Sequence, residues 1–293
     1  MDSKVGSAQA RSNSRENGAG IARLGAQRWQ HGSRGPTAVL VPVTLVTIPF
    51  SHYCEKARWA LDHHRLAFEE DAYAPGEHFL RVRRLRGKTV PILIDGSEIV
   101  HDSSAILRHL DARAPASRRL YPDDAAARQE VESIEEELDG ELGPTARQWA
   151  YFHVLNDARA ALALMTRGMP IWKKAAFTAI FPALRAAMKQ RMDVQAESAA
   201  TALERVRAVL ARTEARLEGG RRYLVGDRFT AADLTFASLC GPALLLPIDA
   251  PWADHPTLPA EMVRVSRELR ATPAGAFALR LYREERRPAC LGA

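Results

Sequence analysis

Cysteine is scarce in this sequence, with only Cys54, Cys240 and Cys290 among 293 residues. An odd, widely spaced set without metal-ligand spacing excludes a disulfide scaffold and argues against a zinc site, so no metal is expected. Long apolar runs are also missing, since none approaches the ~18 uncharged residues that a membrane-spanning helix needs. This composition fits a reducing, intracellular setting, and we expect a cytoplasmic protein.

Acidic residues are rare at the N-terminus, where residues 1–36 hold six Lys or Arg against Asp2 and Glu16. This segment therefore carries +4 of the formal net charge of +6, and the nearly neutral remainder argues against a nucleic-acid partner. The segment is rich in Gly, Ser and Arg without apolar periodicity, which predicts a disordered basic tail. A start codon placed too early and an organellar transit peptide are the alternatives, whereas a secretory signal would need a continuous apolar core.

Residues 37–113 alternate between strand and helix patterns. Val39–Ile48 is rich in β-branched residues and predicts a buried strand, and a helix follows over about Tyr53–His64. Phe68–Tyr73 predicts a second strand, and strand–helix–strand units of this kind pair in parallel. A short helix over 77–84, a hairpin around Asp95-Gly96 and a helix opening at Asp102-Ser103 complete the order. This is the order of an α/β thioredoxin-like N-terminal domain.

The rest of the chain is helical in pattern. Residues 114–123 are rich in proline and serine and predict a linker. Residues 124–285 carry apolar stripes at helical spacing and predict an all-α helical C-terminal domain, and 286–293 form a short tail. Within it, Thr230-Ala-Ala-Asp233 predicts a capped helix start, with Phe229 and Leu234 placed as a hydrophobic staple.

Ser51 lies at the mouth of a helix directly after a buried strand. Unpaired N–H groups and the macrodipole make such a helix N-terminus favourable for anions. A hydroxyl there can donate a hydrogen bond to a bound thiolate and stabilise it. Taken alone, Ser51 is better explained as the N-cap of the helix.

The stretch Pro49-Phe-Ser-His-Tyr-Cys-Glu-Lys-Ala-Arg58 resembles the active-site segment of glutathione transferases. Ser51, Tyr53, Lys56 and Arg58 stand at the matching positions, and His52 replaces the usual proline. The stretch is also similar to the Cys-Pro-Tyr-Cys of glutaredoxins, with Ser51 at the first cysteine and Cys54 at the second. The attacking thiol of that comparison is therefore missing.

Three further segments extend the resemblance. Val90-Pro91 looks like the family's Val-Pro, in which a cis proline exposes the preceding backbone to the cysteinyl part of glutathione. Asp102-Ser103 resembles the acid–Ser pair that holds the γ-glutamyl group, and Lys88 is a candidate contact of the glycyl carboxylate. The segment from Tyr223 to Thr235 resembles a capping segment of the helical domain, whose role is in folding.

The resemblance implies a glutathione transferase that conjugates the glutathione thiolate to a small hydrophobic electrophile, as in detoxification. Ser51 and Cys54 are the catalytic candidates, and Tyr53, Lys88, Val90, Pro91, Asp102 and Ser103 are the candidates for binding glutathione. Glutathione is then a cosubstrate and no further cofactor is expected. The expected partners exclude nucleic acid and a membrane, and a homodimer is a family expectation.

Two alternatives to this function stay open at the sequence level. Cys54 is either a packed residue of the first helix or a partly exposed thiol that performs glutathione-dependent thiol–disulfide exchange. The chain is otherwise a non-catalytic binding protein on the same fold. Residues 162–192 interleave large apolar and basic residues, which fits helix packing, an apolar wall over the second-substrate site, or a membrane-surface element.

Overall fold

The computed structural model describes residues 43–166, 169–246 and 258–286. The predictions for the tail 1–36, for the first residues of the strand at Val39, and for residues 287–293 with Cys290 lie outside these ranges. None of the described helices is both long and apolar enough to cross a lipid bilayer.

The N-terminal part is a small mixed sheet covered by helices. The elements are β1 (Val43–Thr47), α1 (His52–His63), β2 (Phe68–Ala72), α2 (His78–Arg84), β3 (Ile92–Asp95), β4 (Glu98–His101) and α3 (Ser103–Asp111). The strand order is β2-β1-β3-β4. β1 pairs with β2 in parallel and with β3 antiparallel, and β3–β4 is the expected hairpin, whose turn has Gly96 at φ 62°. The predicted element order is confirmed.

The C-terminal part is helical, as predicted. A 3₁₀ turn (Ala116–Arg118) precedes α4 (Ala125–Glu137), a π turn (Leu138–Leu142) and α5 (Gly143–Asn156). The remaining helices are α6 (Ala158–Met165), α7 (Ile171–Arg191), α8 (Ala196–Arg216), α9 (Ala231–Leu239), α10 (Gly241–Leu244), α11 (Ala260–Ala271) and α12 (Pro273–Glu284). Every residue of α9 is buried, so this helix is the centre of the domain.

The capping segment before α9 has the predicted geometry. Thr230 caps the helix, and the Asp233 carboxylate accepts a hydrogen bond from the Thr230 amide at 2.8 Å, which forms a capping box. The other carboxylate oxygen of Asp233 accepts the Leu224 amide at 2.8 Å. Phe229 and Leu234 are both buried, as expected of a hydrophobic staple. The segment therefore fixes the entry of the chain into the core of the helical domain.

The two parts share one hydrophobic core. Helix α1 packs against α3 of its own domain and against α9 of the other. Trp59 of α1 is fully buried and stacks on Phe229 with ring centroids 5.7 Å apart. Apolar residues of both domains belong to one continuous buried cluster. The position of α1, and of the loop before it, is therefore set by both domains.

Candidate functional site

A cleft of about 870 Å³ lies between the two domains. Its N-terminal wall holds the loop before α1, the segment before β3 and the N-terminus of α3. It brings together seven of the eight predicted site residues: Ser51, Tyr53, Lys88, Val90, Pro91, Asp102 and Ser103. Cys54 is the exception, because its side chain is fully buried behind this wall.

Ser51 is the N-cap of α1. Its Oγ accepts a hydrogen bond from the Cys54 amide at 3.4 Å, and its backbone is extended, with φ −77° and ψ 122°. Because the oxygen accepts from the helix, the hydroxyl proton is left to donate elsewhere. Ser51 is half-buried and lines the cleft, so that proton can be directed at a group bound there.

Cys54 belongs to a small apolar cluster with Val46, Val82, Val90 and Ile92. Burial raises the pKa of its thiol, and the nearby Arg58 and Ser51 only partly offset this effect. A thiol that is buried and protonated is a poor nucleophile. These observations agree with the packing interpretation of Cys54. Cys240 is buried in the same way, with its pKa also raised by burial.

The Val90–Pro91 peptide bond is cis, as predicted. Val90 lines the cleft, and its amide N–H has no hydrogen-bond partner among the described residues. Within the part of the chain that the structure describes, the Val90 carbonyl accepts a hydrogen bond only from the Thr89 hydroxyl, at 3.3 Å. A backbone segment next to β3 with an unpaired N–H is suited to pairing with a peptide-like ligand.

Asp102 forms a sharp corner at the start of α3. Its φ of 77° and ψ of 139° are rare for a residue other than glycine, and such geometry is often kept at ligand sites. Its Oδ1 accepts the amides of Ser104 and Ala105, at 2.9 and 3.3 Å. The Ser103 amide and hydroxyl have no partner among the described residues. The corner therefore offers one carboxylate oxygen and two donors to a ligand.

Tyr53 points toward the helical domain. Its hydroxyl donates to the Asp139 backbone carbonyl at 2.9 Å, and burial raises the pKa of this phenol to about 12. The Tyr53 hydroxyl thus donates its proton to a carbonyl of the π turn and is not free to donate to a ligand. Its contact instead holds the start of α1 against the helical domain. Lys88 is exposed at the rim of the cleft, and no described carboxylate lies within ion-pair distance of its ammonium.

His52 occupies the position where the resembling family has proline. Its Nε2 lies 3.0 Å from the Gly143 carbonyl, which accepts its proton. Burial, and secondarily Arg147, lower the pKa of His52 to about 3, so the ring is neutral. Tyr53 also lies close to Gly143, so close that a Cβ atom added to Gly143 would overlap the Tyr53 hydroxyl. Two residues next to Ser51 are therefore held by backbone carbonyls of the helical domain.

Lys56 is the central charge between the two domains. Its ammonium is fully buried and contacts Glu135 at 2.9 Å, Asp139 at 2.7 Å and Ser104 at 2.7 Å. Burial alone would raise the pKa of Glu135, yet Lys56 beside it holds that pKa below its usual range. Glu135 also accepts the Tyr121 hydroxyl at 2.8 Å. This network joins α1 and α3 to α4 and the π turn directly behind the cleft.

Arg58 holds the other side of α1. It forms an ion pair with Glu70 at 2.7 Å and reaches the Ile48 carbonyl at 3.3 Å, just before the active-site loop. Glu55 pairs in turn with Arg286 at 2.8 Å. The sequence motif contained Lys56 and Arg58, and the structure gives both of them roles in fixing the loop.

The second wall of the cleft comes from the helical domain. One of the three interpretations of residues 162–192 was an apolar wall at this place, and the sequence predicted no role for the wall residues outside that segment. Arg147 and Tyr151 of α5 lie one helical turn apart, and their only sequence signal is that spacing. Arg147 is half-buried and has no hydrogen bond or ion pair with the described residues. The apolar lining on this side consists of Val154, Leu164, Leu184, Met188, Leu245, Leu246, Leu258 and Met262.

No cluster of metal-ligating side chains occurs within the described ranges. The site offers a neutral hydroxyl at a helix N-terminus, an unpaired backbone amide and a carboxylate corner, facing an apolar wall. This arrangement can bind a peptide-like ligand and present one of its groups to the Ser51 hydroxyl.

Comparison with known proteins agrees with this geometry. The sequence profile of the glutathione S-transferase N-terminal domain matches residues 45–118, and that of the C-terminal domain matches residues 169–268. Together the two cover more than half of the chain. A search of curated proteins gives no match.

Several solved structures share the fold. A possible glutathione S-transferase from Rhodopseudomonas palustris is 18% identical with a TM-score of 0.55, over 83% of this chain and 94% of that one. The theta class glutathione S-transferase of Xanthomonas axonopodis pv. citri, solved with glutathione bound, is 21% identical with a TM-score of 0.50, over 81% and 96%. Glutathione transferase F2 from Populus trichocarpa is 19% identical with a TM-score of 0.50, over 83% and 99%. With both domain profiles matched and a thioredoxin-like domain followed by a helical one, the chain belongs to the glutathione S-transferase family.

Proposed function

We propose that this protein is a glutathione transferase that joins the glutathione thiolate to a small hydrophobic electrophile. The observation that carries the proposal is the cleft wall itself. Ser51, the Val90 backbone and the Asp102-Ser103 corner line one cleft, and together they offer a hydrogen-bond donor for the thiolate, a backbone segment and a carboxylate- and ammonium-binding corner to a γ-glutamyl tripeptide.

Ser51 is the proposed thiolate-stabilising residue. Its oxygen is held by the Cys54 amide, so its O–H can be directed into the cleft. A hydrogen bond to the charged form of a thiol favours that form and lowers its pKa, and the N-terminus of α1 adds a favourable dipole. The thiolate then attacks the electrophile without any covalent bond to the protein, so the protein only positions and deprotonates the thiol.

Glutathione itself is bound at three proposed points. The Ser103 amide and hydroxyl take the γ-glutamyl carboxylate, and the free Oδ2 of Asp102 takes its ammonium. The Val90 backbone pairs with the cysteinyl unit, and Lys88 at the rim is available for the glycyl carboxylate. The apolar wall contributed by Leu184, Met188 and their neighbours is the proposed site of the electrophile.

Comparison of two single substitutions tests the mechanism. Ser51→Ala should raise the pKa of bound glutathione and slow its conjugation to 1-chloro-2,4-dinitrobenzene. The loss of one hydrogen bond to a charged group costs ~1.5–3 kcal/mol, so the rate should fall about tenfold or more. Cys54→Ala should leave conjugation nearly unchanged, because the buried thiol does not line the cleft.

Thiol–disulfide exchange through Cys54 gives the opposite pattern. Reduction of a glutathione mixed disulfide would be lost in Cys54→Ala and kept in Ser51→Ala, and mass spectrometry would find a glutathione adduct on Cys54. That combination would refute the transferase mechanism. A parent protein that binds glutathione but shows neither activity would instead identify a non-catalytic binding protein.

Ser103→Ala tests the glutathione site independently of turnover. Calorimetry should show clearly weaker glutathione binding, because the substitution removes one of the two donors at the start of α3. Ser97→Ala is the matched control, since Ser97 is exposed in the β3–β4 turn. Equal affinity in both variants would mean that glutathione binds elsewhere.

A further inference from the structure

The outer face of α7 is apolar, although it faces solvent. Only Phe177, Phe181 and Met188 of its 21 residues are buried. Ile171 is 86% exposed, Trp172 66% and Ile180 58%. Alanines fill most of the outer face between them: Ala175, Ala176, Ala179, Ala183, Ala186 and Ala187. A surface helix normally turns charged residues outward, and a helix that is apolar all round is normally covered.

Helix α2 continues this exposed apolar surface. Leu80 is 71% exposed and Phe79 55%. Helix α7 contacts the turn that leads into α2, where Lys173, which lies over the Trp172 ring, pairs with Glu77 at 2.9 Å. A second contact is at Gly76 of the same turn, where an added Cβ would lie 3.6 Å from Leu184. Five of the seven large apolar side chains that are exposed in the described ranges lie on these two helices.

The charged residues of the same two segments all have one sign. Residues 171–191 contain five Lys or Arg, and residues 78–88 contain another five, without any Asp or Glu in either segment. On α2, Arg84 lies one helical turn from Leu80 on the exposed side. Eight of the ten cations have no ion pair with the described residues, since only Arg81 and Lys173 form one. Six of the eight also form no side-chain hydrogen bond with the described residues: Arg83, Arg84, Arg86, Lys88, Lys174 and Arg191. The surface therefore combines bulky apolar groups with a strong positive charge.

The charge decides between possible occupants of this surface. A second copy related by a twofold axis would place the same cationic patch opposite itself, which is repulsive. Residues 1–36 carry +4 and are also repelled. A bilayer with anionic lipids supplies both an apolar interior for Ile171 and Trp172 and negative headgroups for the lysines and arginines around them. Tryptophan is moreover favoured at the level of the headgroups.

We propose that the surface formed by α2 and α7 docks the protein on the face of an anionic lipid bilayer. The helices lie in the interface and do not span it. This docking does not depend on the proposed transferase activity. It reverses the expectation from composition that no membrane is involved, and it gives residues 162–192 the membrane-surface role that was one of their three interpretations. Phe79, Lys88, Leu184 and Arg191 also line the cleft, so the cleft would open beside the lipid.

Flotation of the full-length protein with lipid vesicles tests the proposal. The protein should float with vesicles of phosphatidylcholine and phosphatidylglycerol, and much less with vesicles of phosphatidylcholine alone. Raising the salt concentration should weaken the binding. Trp172 fluorescence, isolated as the difference between the parent and Trp172→Phe, should shift to shorter wavelength with the mixed vesicles.

Exposed substitutions separate the apolar and the charged contributions. Lys174→Gln and Arg84→Gln should each lower partitioning to the mixed vesicles about fivefold. The pair Leu80→Gln and Trp172→Gln should lower it about tenfold or more. The matched controls are Arg205→Gln on α8 for charge and Ile99→Asn on β4 for apolar exposure, and both should bind like the parent.

Three results would overturn the proposal. The first is failure of the parent protein to float with the mixed vesicles. The second is unchanged flotation of the double variant Leu80→Gln with Trp172→Gln, which would mean that charge alone binds lipid. The third is a dimer of the parent, seen by analytical ultracentrifugation, that Trp172→Gln converts to a monomer, which would make this surface a contact between copies.

Discussion

The buried Lys56 network supports a quantitative prediction about stability. Lys56 joins the two domains through Glu135 at 2.9 Å and Asp139 at 2.7 Å, and its side chain is fully buried. Lys56→Met keeps the approximate volume and removes the charge, which leaves the Glu135 carboxylate, 1% exposed, with only the partly exposed Arg108 at 3.2 Å as a cationic partner among the described residues. Removing one partner of a buried ion pair typically costs ~3–5 kcal/mol. The midpoint of thermal unfolding should then fall by roughly 6–20 °C.

The loss of stability in Lys56→Met should become smaller as the pH is lowered. In the parent, the pKa of Glu135 is held low, so its stabilising contribution is present above the ordinary glutamate range and is lost as pH falls. In Lys56→Met, burial of Glu135 without the Lys56 ammonium beside it raises that pKa relative to the parent, so the carboxylate destabilises the fold most at neutral pH and above. The difference in stability between parent and variant should therefore narrow as the pH is lowered.

Urea unfolding at several pH values measures both effects. Adding Glu135→Gln to Lys56→Met should restore part of the stability, because a buried amide no longer needs a cation. Lys174→Met is the control, since Lys174 is exposed, and it should change the free energy of unfolding by less than about 0.5 kcal/mol. If Lys56→Met unfolds within about 1 kcal/mol of the parent at neutral pH, the network does not hold the domains together and the reasoning fails.

Three other predictions follow from the described contacts. Because burial lowers the pKa of His52 to about 3, the unfolded chain takes up a proton below pH 6.5 that the folded chain does not. At about pH 5 this difference in proton uptake lowers the free energy of unfolding of the parent by about 2 kcal/mol. Urea unfolding of His52→Gln should not show this loss, and identical pH profiles of stability for parent and variant would contradict the prediction. Gly143→Ala should displace Tyr53, lower stability by ~1–3 kcal/mol and weaken glutathione binding, and a calorimetric affinity equal to that of the parent would exclude this coupling. Asp233→Ala should cost about 3 kcal/mol in thermal or urea unfolding, because two buried amides lose their acceptor. Glutathione affinity should stay the same, because Asp233 does not line the cleft, and a changed affinity would show that the capping segment influences the site.

Local sequence signals were sufficient to predict the thioredoxin-like half of the fold. Three features of this half each depend on residues that are close together in the chain, so each could be predicted separately: the strand before Pro49, the turn at Asp95-Gly96 and the cap at Asp102. The capping box at Thr230 and Asp233 was readable for the same reason. The candidate glutathione residues came from the resemblance of the segments at Ser51, Val90-Pro91 and Asp102-Ser103 to the glutathione transferase family, because each residue alone is explained as well or better by an ordinary structural role.

The residues that form the helical wall of the cleft could not be predicted from local sequence signals. The ion pair between Lys56 and Asp139 joins residues 83 positions apart, and no local pattern reports such a contact. Arg147 is on a helix whose other residues give no motif, and its exposure to the cleft depends on how α5 is oriented. The apolar residues of α7 were visible in the sequence, but a pattern of apolar residues does not tell whether a second face is covered or open to solvent.

The π turn between α4 and α5 limits how far the two domains can be treated as interchangeable modules. Its Asp139 carbonyl accepts a hydrogen bond from the Tyr53 hydroxyl, and the adjoining Gly143 carbonyl accepts one from the His52 ring. Backbone carbonyls of the helical domain therefore hold the loop of the N-terminal domain that contains Ser51. A chimaera that combines the first domain with the helices of another family member would need a matching irregular turn at the same place. Divergence of the helical domain is therefore constrained at residues 139–143, because the backbone carbonyls there hold the loop that contains Ser51.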